Sequence, residues 1–344
     1  MARIVMADDG VVFDGRMAEA NPLGGAEAAF VALAEALASR GHEVEVFNRC
    51  AAPLDHKGVA WRPLSQGAPD SADLYIANRG DRLIGLVLNA RARVFWIHNP
   101  ARYLNKPRYV WPLLRYRPII VVIGAYHART VPVWLPRGGI AIIPYGLAEE
   151  FRHAAPLSAV PAPRAIFTSN PLRGLDWLLE LWEKRIRPAL PQAELHIYAG
   201  PAVYGAAGDK QAAAMAPVLA RADAMTGDGV RRFAPLPRQG LIQALRKARI
   251  MLYRGDVNET FCAAVAEAQA LGLPAVAQPL GSLPERIIDG VTGTLANGDA
   301  EFASAAIALL RDDELWRRRH AASLDRQRGL SRNQVAERFE ALLP

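Results

Sequence analysis

Two glutamates at the start of a helix-like segment are the residues best suited to chemistry. Glu259 and Glu267 stand eight positions apart, after a strand-like run. A helical projection separates them by about 80° around the axis, so they do not form one carboxylate pair. Glu259 would lie at the helix mouth beside the unpaired amides of Phe261 and Cys262. Glu267, between alanines, needs a partner that a ribose diol would supply; two surface glutamates are the alternative.

Two turns elsewhere in the chain add to this pattern. Gly24 and Gly25 lie in the run Pro22–Glu27, between a strand-like and a helix-like segment. Paired glycines let the backbone approach a ligand, and the helix start supplies free N–H groups; neither a P-loop nor a GxGxxG pattern is present. Arg173 begins a helix against the preference of the helix dipole for anions. The three features predict a phosphate-bearing ligand, with a tight turn and a solvated arginine as alternatives.

Strand-like and helix-like segments alternate along the whole chain. The first predicted strand, Arg3–Ala7, precedes a helix at Ala26–Ser39, where apolar residues recur on one face. The other predicted strands before residue 150 are His42–Phe47, Asp73–Ala77, Arg93–His98, Pro118–Gly124 and Gly139–Ile143. Their continuous apolar runs indicate a parallel sheet covered on both faces, and the alternation with helices indicates a doubly wound α/β fold.

A second series of the same kind follows the proline- and alanine-rich stretch Arg152–Arg164. Its predicted elements are strands at Ala165–Thr168, Glu194–Ala199, Val230–Phe233, Ile250–Tyr253 and Pro274–Ala277, and helices at Leu175–Ile186, Gly240–Ala248 and Phe261–Leu271. A length of 344 residues suggests about two domains. We therefore predict an N-terminal Rossmann-like domain at 1–155, a linker at 156–164 and a C-terminal Rossmann-like domain at 165–328.

The composition excludes several classes of protein. The chain has 41 basic and 34 acidic residues, a net charge of +7, and 51% hydrophobic residues, unlike a disordered chain or a disulfide-stapled miniprotein. Cys50 and Cys262 lie far apart and suggest a reducing compartment. Acidic residues near the start argue against a signal peptide, and the longest apolar run, Ile119–Tyr126, is too short to span a bilayer. We expect a cytoplasmic protein.

Taken together and in this order, these residues resemble the retaining GT-B glycosyltransferases of family 4 over nearly the whole chain. The spacing of Glu259 and Glu267 is the most specific mark. Other matching segments are Gly24–Glu27, Leu33–Leu37, Arg40–Val44, Ile143–Leu147, Ala268, Gly272, Pro274, Val276, Gly281, Glu285 and Asp289-Gly290. The resemblance implies two Rossmann-like parallel-sheet domains facing a cleft, with a last helix within 329–344 that returns to the first domain.

The resemblance also implies a reaction: transfer of a sugar from a nucleotide-diphosphate sugar, UDP- or GDP-linked, with retained anomeric configuration. The donor would lie mainly against the second domain. Glu267 would hold the ribose hydroxyls. Glu259, with the backbone of Thr260, Phe261 and Cys262, would hold the donor sugar and the distal phosphate. Thr260 and Cys262 depart from the family, which commonly has glycine or proline and then glycine at these positions.

Three residues would act in catalysis according to the resemblance: His98, Glu259 and Arg173. Arg173 would offset diphosphate charge, while Gly24 and Gly25 would let the first domain close on the donor. His98 would lie near the transferred sugar, at a strand end where open sheets bind ligands; a satisfied core histidine is the alternative. The family often has a further arginine where this chain has Ser169-Asn170.

The sequence predicts that no metal and no other cofactor is required. No aspartate and histidine cluster with metal spacing and no Asp-x-Asp triplet at a strand end is present, so Arg173 and the helix mouth would stabilise the departing diphosphate. No pair of acids that would flank the bond can be identified. We therefore favour departure and attack on one face of the sugar over double displacement.

The acceptor side is marked by basic and aromatic residues. The stretch Arg102–Arg117 suits an anionic membrane or a lipid phosphate, and single-stranded nucleic acid is an alternative that no binding motif supports. Prolines at 107, 112 and 118 predict that no amphipathic helix forms there. The basic helix around Arg317–Arg332 is a solvated face or a second membrane contact. We expect a glycan or lipid-linked acceptor in cell-surface polysaccharide or glycolipid synthesis. Peripheral attachment of the protein to the inner face of the membrane is left open.

Two other functions stay open at this point. A GT-B-like sugar-nucleotide epimerase would share the architecture and the phosphate contacts, but the glutamate spacing disfavours it. A non-catalytic two-lobed protein that binds a nucleotide sugar would share the fold without turnover. Release of nucleoside diphosphate from a donor distinguishes the transferase from both.

Overall fold

The computed structural model describes residues 1–17 and 23–344. The backbone forms two compact units, one made of Met1–Gly146 with Leu330–Pro344 and the other of Leu147–Gly329. Each unit is an α/β layer structure around its own sheet. Among the residues described, no helix is both long and apolar enough to cross a membrane.

The first unit is built on an eight-stranded sheet. Its strands in chain order are β1 (Arg3–Asp8), β2 (Glu43–Asn48), β3 (Leu54–His56), β4 (Val59–Pro63), β5 (Ser71–Asn78), β6 (Asn89–Trp96), β7 (Ile119–Val122) and β8 (Gly139–Ile142). Their order across the sheet is β3-β4-β2-β1-β5-β6-β7-β8. All neighbours are parallel except β3 and β4. The order reverses between β1 and β5.

Helices of the first unit cover this sheet. They are α1 (Gly25–Ser39), α2 (Pro107–Tyr116), α3 (Ala125–Arg129) and, from the end of the chain, Arg332–Glu340. The last of these packs against α1. The ring of Phe339 lies 5.2 Å from that of Trp96, and Arg40 pairs with Glu340 at 2.5 Å. Apolar burial and this ion pair hold the C-terminal segment on the first unit.

The second unit contains six strands, all parallel. They are β9 (Arg164–Phe167), β10 (Glu194–Tyr198), β11 (Val230–Phe233), β12 (Ile250–Tyr253), β13 (Ala275–Ala277) and β14 (Gly293–Leu295). The order across the sheet is β11-β10-β9-β12-β13-β14, which is the 3-2-1-4-5-6 order of the doubly wound fold. The reversal lies between β9 and β12. The predicted doubly wound α/β fold is confirmed in both units.

The helices of the second unit connect these strands. They are α4 (Glu149–Arg152), α5 (Leu175–Leu181), α6 (Arg187–Ala189), α7 (Gly205–Ala224), α8 (Arg238–Arg246), α9 (Ala263–Ala270), α10 (Leu283–Arg286), α11 (Asp299–Arg311) and α12 (Asp313–Gln327); the terminal helix Arg332–Glu340 is α13. A π-helical turn at Trp182–Ile186 follows α5. Every residue of β12 is buried, as expected for a central strand with both faces covered.

The hairpin of β3 and β4 was missing from the predicted elements. Its two turn residues are Lys57 and Gly58, with φ values of 48° and 77°. Positive φ at both positions is the geometry of a tight two-residue hairpin turn. The first sheet is therefore not purely parallel, since β3 runs antiparallel at its edge.

The prediction that no amphipathic helix forms near residue 110 is wrong. Helix α2 spans Pro107–Tyr116, buries Tyr109 and Leu113, and leaves Trp111 exposed. Pro107 occupies the first turn, where a missing N–H costs nothing, and Pro118 lies beyond the last helical residue. Pro107 and Pro118 therefore mark the two ends of the helix, and the helix continues through Pro112.

The boundary between the units also differs from the predicted one. Residues 147–155, which we predicted in the first domain, belong to the second unit. There the Nε of Arg152 donates to the carbonyl of Arg328 at 2.7 Å. The segment that we predicted as a linker is likewise held, because the amide of Leu157 donates to Nε2 of His320 at 3.1 Å. These bonds place the segment on the second unit.

Candidate functional site

Both sheets carry polar residues where their strand order reverses. In the first sheet β1 and β5 end side by side on Asp8 and Asn78, and His98 follows the adjacent β6 by two residues. In the second sheet Arg173 follows β9 and Glu259 follows β12, and these strands are neighbours. Open α/β sheets bind ligands at the carboxyl ends of strands beside such a reversal. Each unit therefore has one candidate edge.

The edge of the first unit is a network of charges. Asp8 is fully buried and accepts hydrogen bonds from Asn78 Nδ2 at 2.5 Å and from Arg79 Nη2 at 2.8 Å. The other guanidinium nitrogen, Nη1, donates to Glu27 at 3.0 Å. Burial opposes the charge of Arg79, but the two carboxylates outweigh it and raise the pKa of Arg79. One arginine thus links two acids from separate elements.

His98 extends this network. Its Nε2 lies 2.5 Å from Asn78 Oδ1 and its Nδ1 lies 2.5 Å from the hydroxyl of Tyr145. Since the Asn78 amide group donates to Asp8, its oxygen faces His98, so the imidazole carries its proton on Nε2 and accepts from Tyr145. Burial, and then repulsion from Arg79, lowers the pKa of His98 well below its usual range. His98 could accept a proton only at Nδ1, and it would first have to give up the hydrogen bond that Nδ1 accepts from the Tyr145 hydroxyl.

The glycine pair lies next to the same network. A Cβ on Gly24 would lie 2.5 Å from Glu27 Oε2, so the missing side chain makes room for the carboxylate that pairs with Arg79. Gly25 is the first residue of α1. Pro22, from the same sequence run, lies outside the described residues. A small shift of the flexible Glu27 side chain could relieve this contact, so it does not by itself require glycine at position 24; approach to a donor stays a prediction.

The edge of the second unit contains a partly exposed ion pair. Arg173 Nη1 donates to Glu259 Oε2 at 2.7 Å, and the hydroxyl of Tyr253 donates to the same oxygen at 2.8 Å. The Arg173 side chain is 36% exposed, against 12% for Glu259. Burial opposes the charge of Arg173, but Glu259 and Tyr253 raise its pKa. Arg173 is therefore not a solvated surface arginine, and it stays cationic.

The turn before helix α9 has an unusual backbone. The helix begins at Ala263, and Cys262 caps it in the left-handed region with φ 61°. Glu259 lies in the preceding turn, so the helical projection used for the two glutamates does not apply to it. Burial, and then Glu259, raises the pKa of the Cys262 thiol. The left-handed backbone gives a physical reason for a glycine at this position in the family.

The remaining predicted donor residues lie on the same turn and helix. Thr260 and Phe261 are buried, and the guanidinium of Arg286 stacks 4.5 Å from the centre of the Phe261 ring. Glu267 is half-buried in the second turn of α9, between two buried alanines. The structure thus joins Arg173 to Glu259 directly and places Thr260, Phe261 and Glu267 along the continuation of that loop.

Several residues of these edges were missed from the sequence. Asp8, Asn78 and Arg79 form the centre of the first network, and Tyr253 supports Glu259. Asp8, Asn78 and Tyr253 are each the last residue of a strand. A polar residue that ends an apolar strand beside the sheet reversal is the signal that could have found them.

The second unit is similar to a known protein family. Residues 162–312 match the family model described as "Glycosyl transferases group 1". The matched segment covers less than half of the chain. It holds β9 to β14 and therefore contains both Arg173 and Glu259.

Relatives in sequence cover part of the chain. D-inositol 3-phosphate glycosyltransferase of Geodermatophilus obscurus is 32% identical over 167 residues, which is 46% of this chain and 36% of that protein. The enzyme of the same name from Kribbella flavida is 40% identical over 88 residues, 25% of this chain and 20% of that protein. The chain thus spans about a third or less of the length of these relatives.

Similar solved structures cover nearly the whole chain and therefore extend beyond the segment that matches the family model. Sucrose-phosphate synthase from Thermosynechococcus elongatus has a TM-score of 0.75 and 15% identity, covering 99% of this chain and 98% of its own. Anabaena HepE in complex with UDP and glucose has a TM-score of 0.72 and 14% identity, covering 100% and 99%. These likenesses show the fold, which is the GT-B fold of two Rossmann-like units.

Proposed function

We propose that this chain is a glycosyltransferase that uses a nucleoside-diphosphate sugar as donor. The observation that carries the proposal is the Arg173–Glu259 pair at the strand reversal of the segment that matches the glycosyl transferases group 1 family. The relatives named above are glycosyltransferases, and HepE was solved with UDP-glucose. A cation and an acid on one edge suit a donor that has a phosphate end and a hydroxyl-rich end.

The chemistry follows from the difficulty of the reaction. Breaking the glycosidic bond of the donor leaves a nucleoside diphosphate, on which negative charge develops. Preorganised cations and helix-terminal amides stabilise such charge, and Arg173 with the amides around Cys262 would do so here. Glu259 would accept hydrogen bonds from the sugar, and Glu267 from the ribose. When the donor binds, Arg173 and Glu259 would each replace part of their contact with one another by hydrogen bonds to the donor.

We further propose a retaining, metal-independent reaction in which the acceptor attacks the face from which the diphosphate leaves. In the free protein His98 is hydrogen-bonded at both ring nitrogens, so neither nitrogen is available to take a proton from the acceptor, and the proposed reaction does not use His98 as a general base. The acceptor would be a glycan or a lipid-linked sugar. One similar structure, WaaG, is described as involved in lipopolysaccharide biosynthesis.

A donor panel tests the proposal. The protein is incubated with UDP- and GDP-sugars, and release of nucleoside diphosphate is followed with and without EDTA. We expect slow release from at least one donor, unchanged by EDTA, and an α-linked product from an α-linked donor by NMR. If every donor is neither bound nor hydrolysed, the proposal is wrong; a change of the sugar without diphosphate release would instead indicate an epimerase.

A matched pair of variants separates the role of Arg173 from general effects of charge. Arg173→Gln is expected to slow diphosphate release about 100-fold, the scale of one lost stabilising donor. Arg232→Gln removes an arginine that pairs with Asp223 at 2.7 Å elsewhere in the same unit, and should leave the rate unchanged. Equal rates in the two variants would remove Arg173 from the mechanism.

A further inference from the structure

The positive charge of the chain is concentrated in one stretch of the first unit. Residues 82–146 contain nine arginines and one lysine and have no aspartate or glutamate. The rest of the chain has 31 basic and 34 acidic residues, a net charge of −3. The excess of +7 in the whole chain therefore comes from this stretch alone. Such a field attracts an anionic partner.

Helix α2 presents an apolar face within this stretch. Tyr109 and Leu113 face the core, whereas Trp111 is 71% and Leu114 50% exposed. Three residues apart, the two exposed side chains lie on the same side of the helix. Arg108 and Arg115 are also exposed on α2. The helix thus combines an exposed tryptophan and leucine with flanking arginines.

A loop extends this apolar face. Val133 is 89% and Trp134 58% exposed, and both line an open depression of about 440 Å³ together with Leu114. Arg137 Nη1 donates to the carbonyls of Pro132, Val133 and Leu135 at 2.8 to 3.2 Å. The guanidinium therefore orders the loop that holds the two apolar side chains outward. We call Trp111, Leu114, Val133 and Trp134 the tryptophan surface.

The C-terminal basic run lacks these properties. Arg319 donates to Thr294 Oγ1, and Arg328 donates to the carbonyl of Ala154. The tryptophan of the same helix, Trp316, is buried. This run therefore combines internal hydrogen bonds with exposed charge and has no exposed aromatic side chain among the residues described.

We propose that the first unit docks on an anionic lipid bilayer through the tryptophan surface. Tryptophan prefers the membrane–water interface, where its ring is partly apolar and its N–H stays hydrated. Basic residues near anionic headgroups add an attraction that salt weakens. Leu114 and Val133 favour lipid over a polyanion in water, because burial of aliphatic side chains needs an apolar phase. The protein would lie on the bilayer, not across it.

Vesicle sedimentation tests the surface. The full chain is mixed in 100 mM NaCl with vesicles of phosphatidylcholine alone or with 30% phosphatidylglycerol. We expect binding to the anionic vesicles, weaker binding at 500 mM NaCl, and little binding to the neutral ones. The double variant Trp111→Ser/Trp134→Ser and, separately, Arg108→Glu/Arg115→Glu should each lower the bound fraction about tenfold, since two interfacial groups are lost.

The matched control is Arg317→Glu/Arg318→Glu on helix α12, two exposed arginines of the C-terminal run. It should retain vesicle binding. Absence of binding to the anionic vesicles, or equal losses in control and test variants, would overturn the proposal. Retention on heparin without vesicle binding would instead assign the surface to a soluble polyanion. Diphosphate release in solution should be unchanged in the tryptophan variant, so the outcome does not depend on the donor proposal.

Discussion

The polar edges of the two units differ in how completely the protein itself satisfies them. In the first unit Glu27, Arg79, Asp8, Asn78 and His98 form one continuous chain of hydrogen bonds, most of it buried. In the second unit Arg173 and Tyr253 both donate to Glu259, and the arginine of this pair is partly exposed. A closed network fixes a shape, whereas a partly exposed pair retains capacity for a ligand.

Removing the cation of the first network should cause the largest effect. Arg79→Met leaves the buried Asp8 without its charged partner, and breaking a buried pair in this way costs about 3–5 kcal/mol. The free energy of unfolding, measured in urea by tryptophan fluorescence, should fall by that amount. The matched control, Arg91→Met, breaks an exposed pair with Asp73 and should cost less than about 1 kcal/mol. Equal losses would show that the network does not stabilise the unit.

Acid should act next most strongly, and again on the first unit. Burial lowers the pKa of His127 to about 4, while an unfolded histidine titrates near 6.5. Because the unfolded chain takes up the proton first, stability is present above pH 6.5 and is lost as the pH falls toward 4. The loss is about 3 kcal/mol from this group, with a further loss in the same direction from His98.

The His127→Gln variant isolates that contribution. Its unfolding free energy should fall less steeply between pH 6.5 and 4 than that of the wild type, and the control His153→Gln, at an exposed position, should follow the wild-type curve. A wild-type slope in His127→Gln would show that the buried imidazole does not control acid stability.

The two edges also differ in what the sequence reveals. Strand β12 was predicted to the residue, because a central parallel strand is a continuous apolar run. The Arg173–Glu259 contact joins positions 86 apart, and only the adjacency of β9 and β12 brings them together. The same holds for Asp8 and Asn78. The residue types of Arg173 and Glu259 were enough to select them as candidates from the sequence. Which side chains they and the residues of the first edge contact depends on the order of the strands in each sheet, and that order cannot be read from one sequence.

The second edge should respond to mutation in donor affinity more than in stability. Glu267→Ala is expected to weaken binding of the nucleotide sugar by roughly 1–3 kcal/mol, the scale of a lost hydrogen bond to a charged group. Calorimetry on wild type and variant measures this, and urea unfolding checks that the fold is intact. Glu301→Ala, on the exposed start of α11, serves as control. Unchanged donor affinity in Glu267→Ala would show that Glu267 does not hold the donor.

The smallest effect concerns the turn that departs from the family. Cys262 adopts φ 61°, a region that costs a residue with a Cβ about 1–2 kcal/mol. Cys262→Gly removes that cost but also frees the unfolded chain and deletes a buried thiol, so the net gain in unfolding free energy should be about 1 kcal/mol or less. The matched variant Cys262→Ala keeps the Cβ and should not gain. Equal stabilities for glycine and alanine at this position would mean that backbone strain does not explain the family's preference for glycine here.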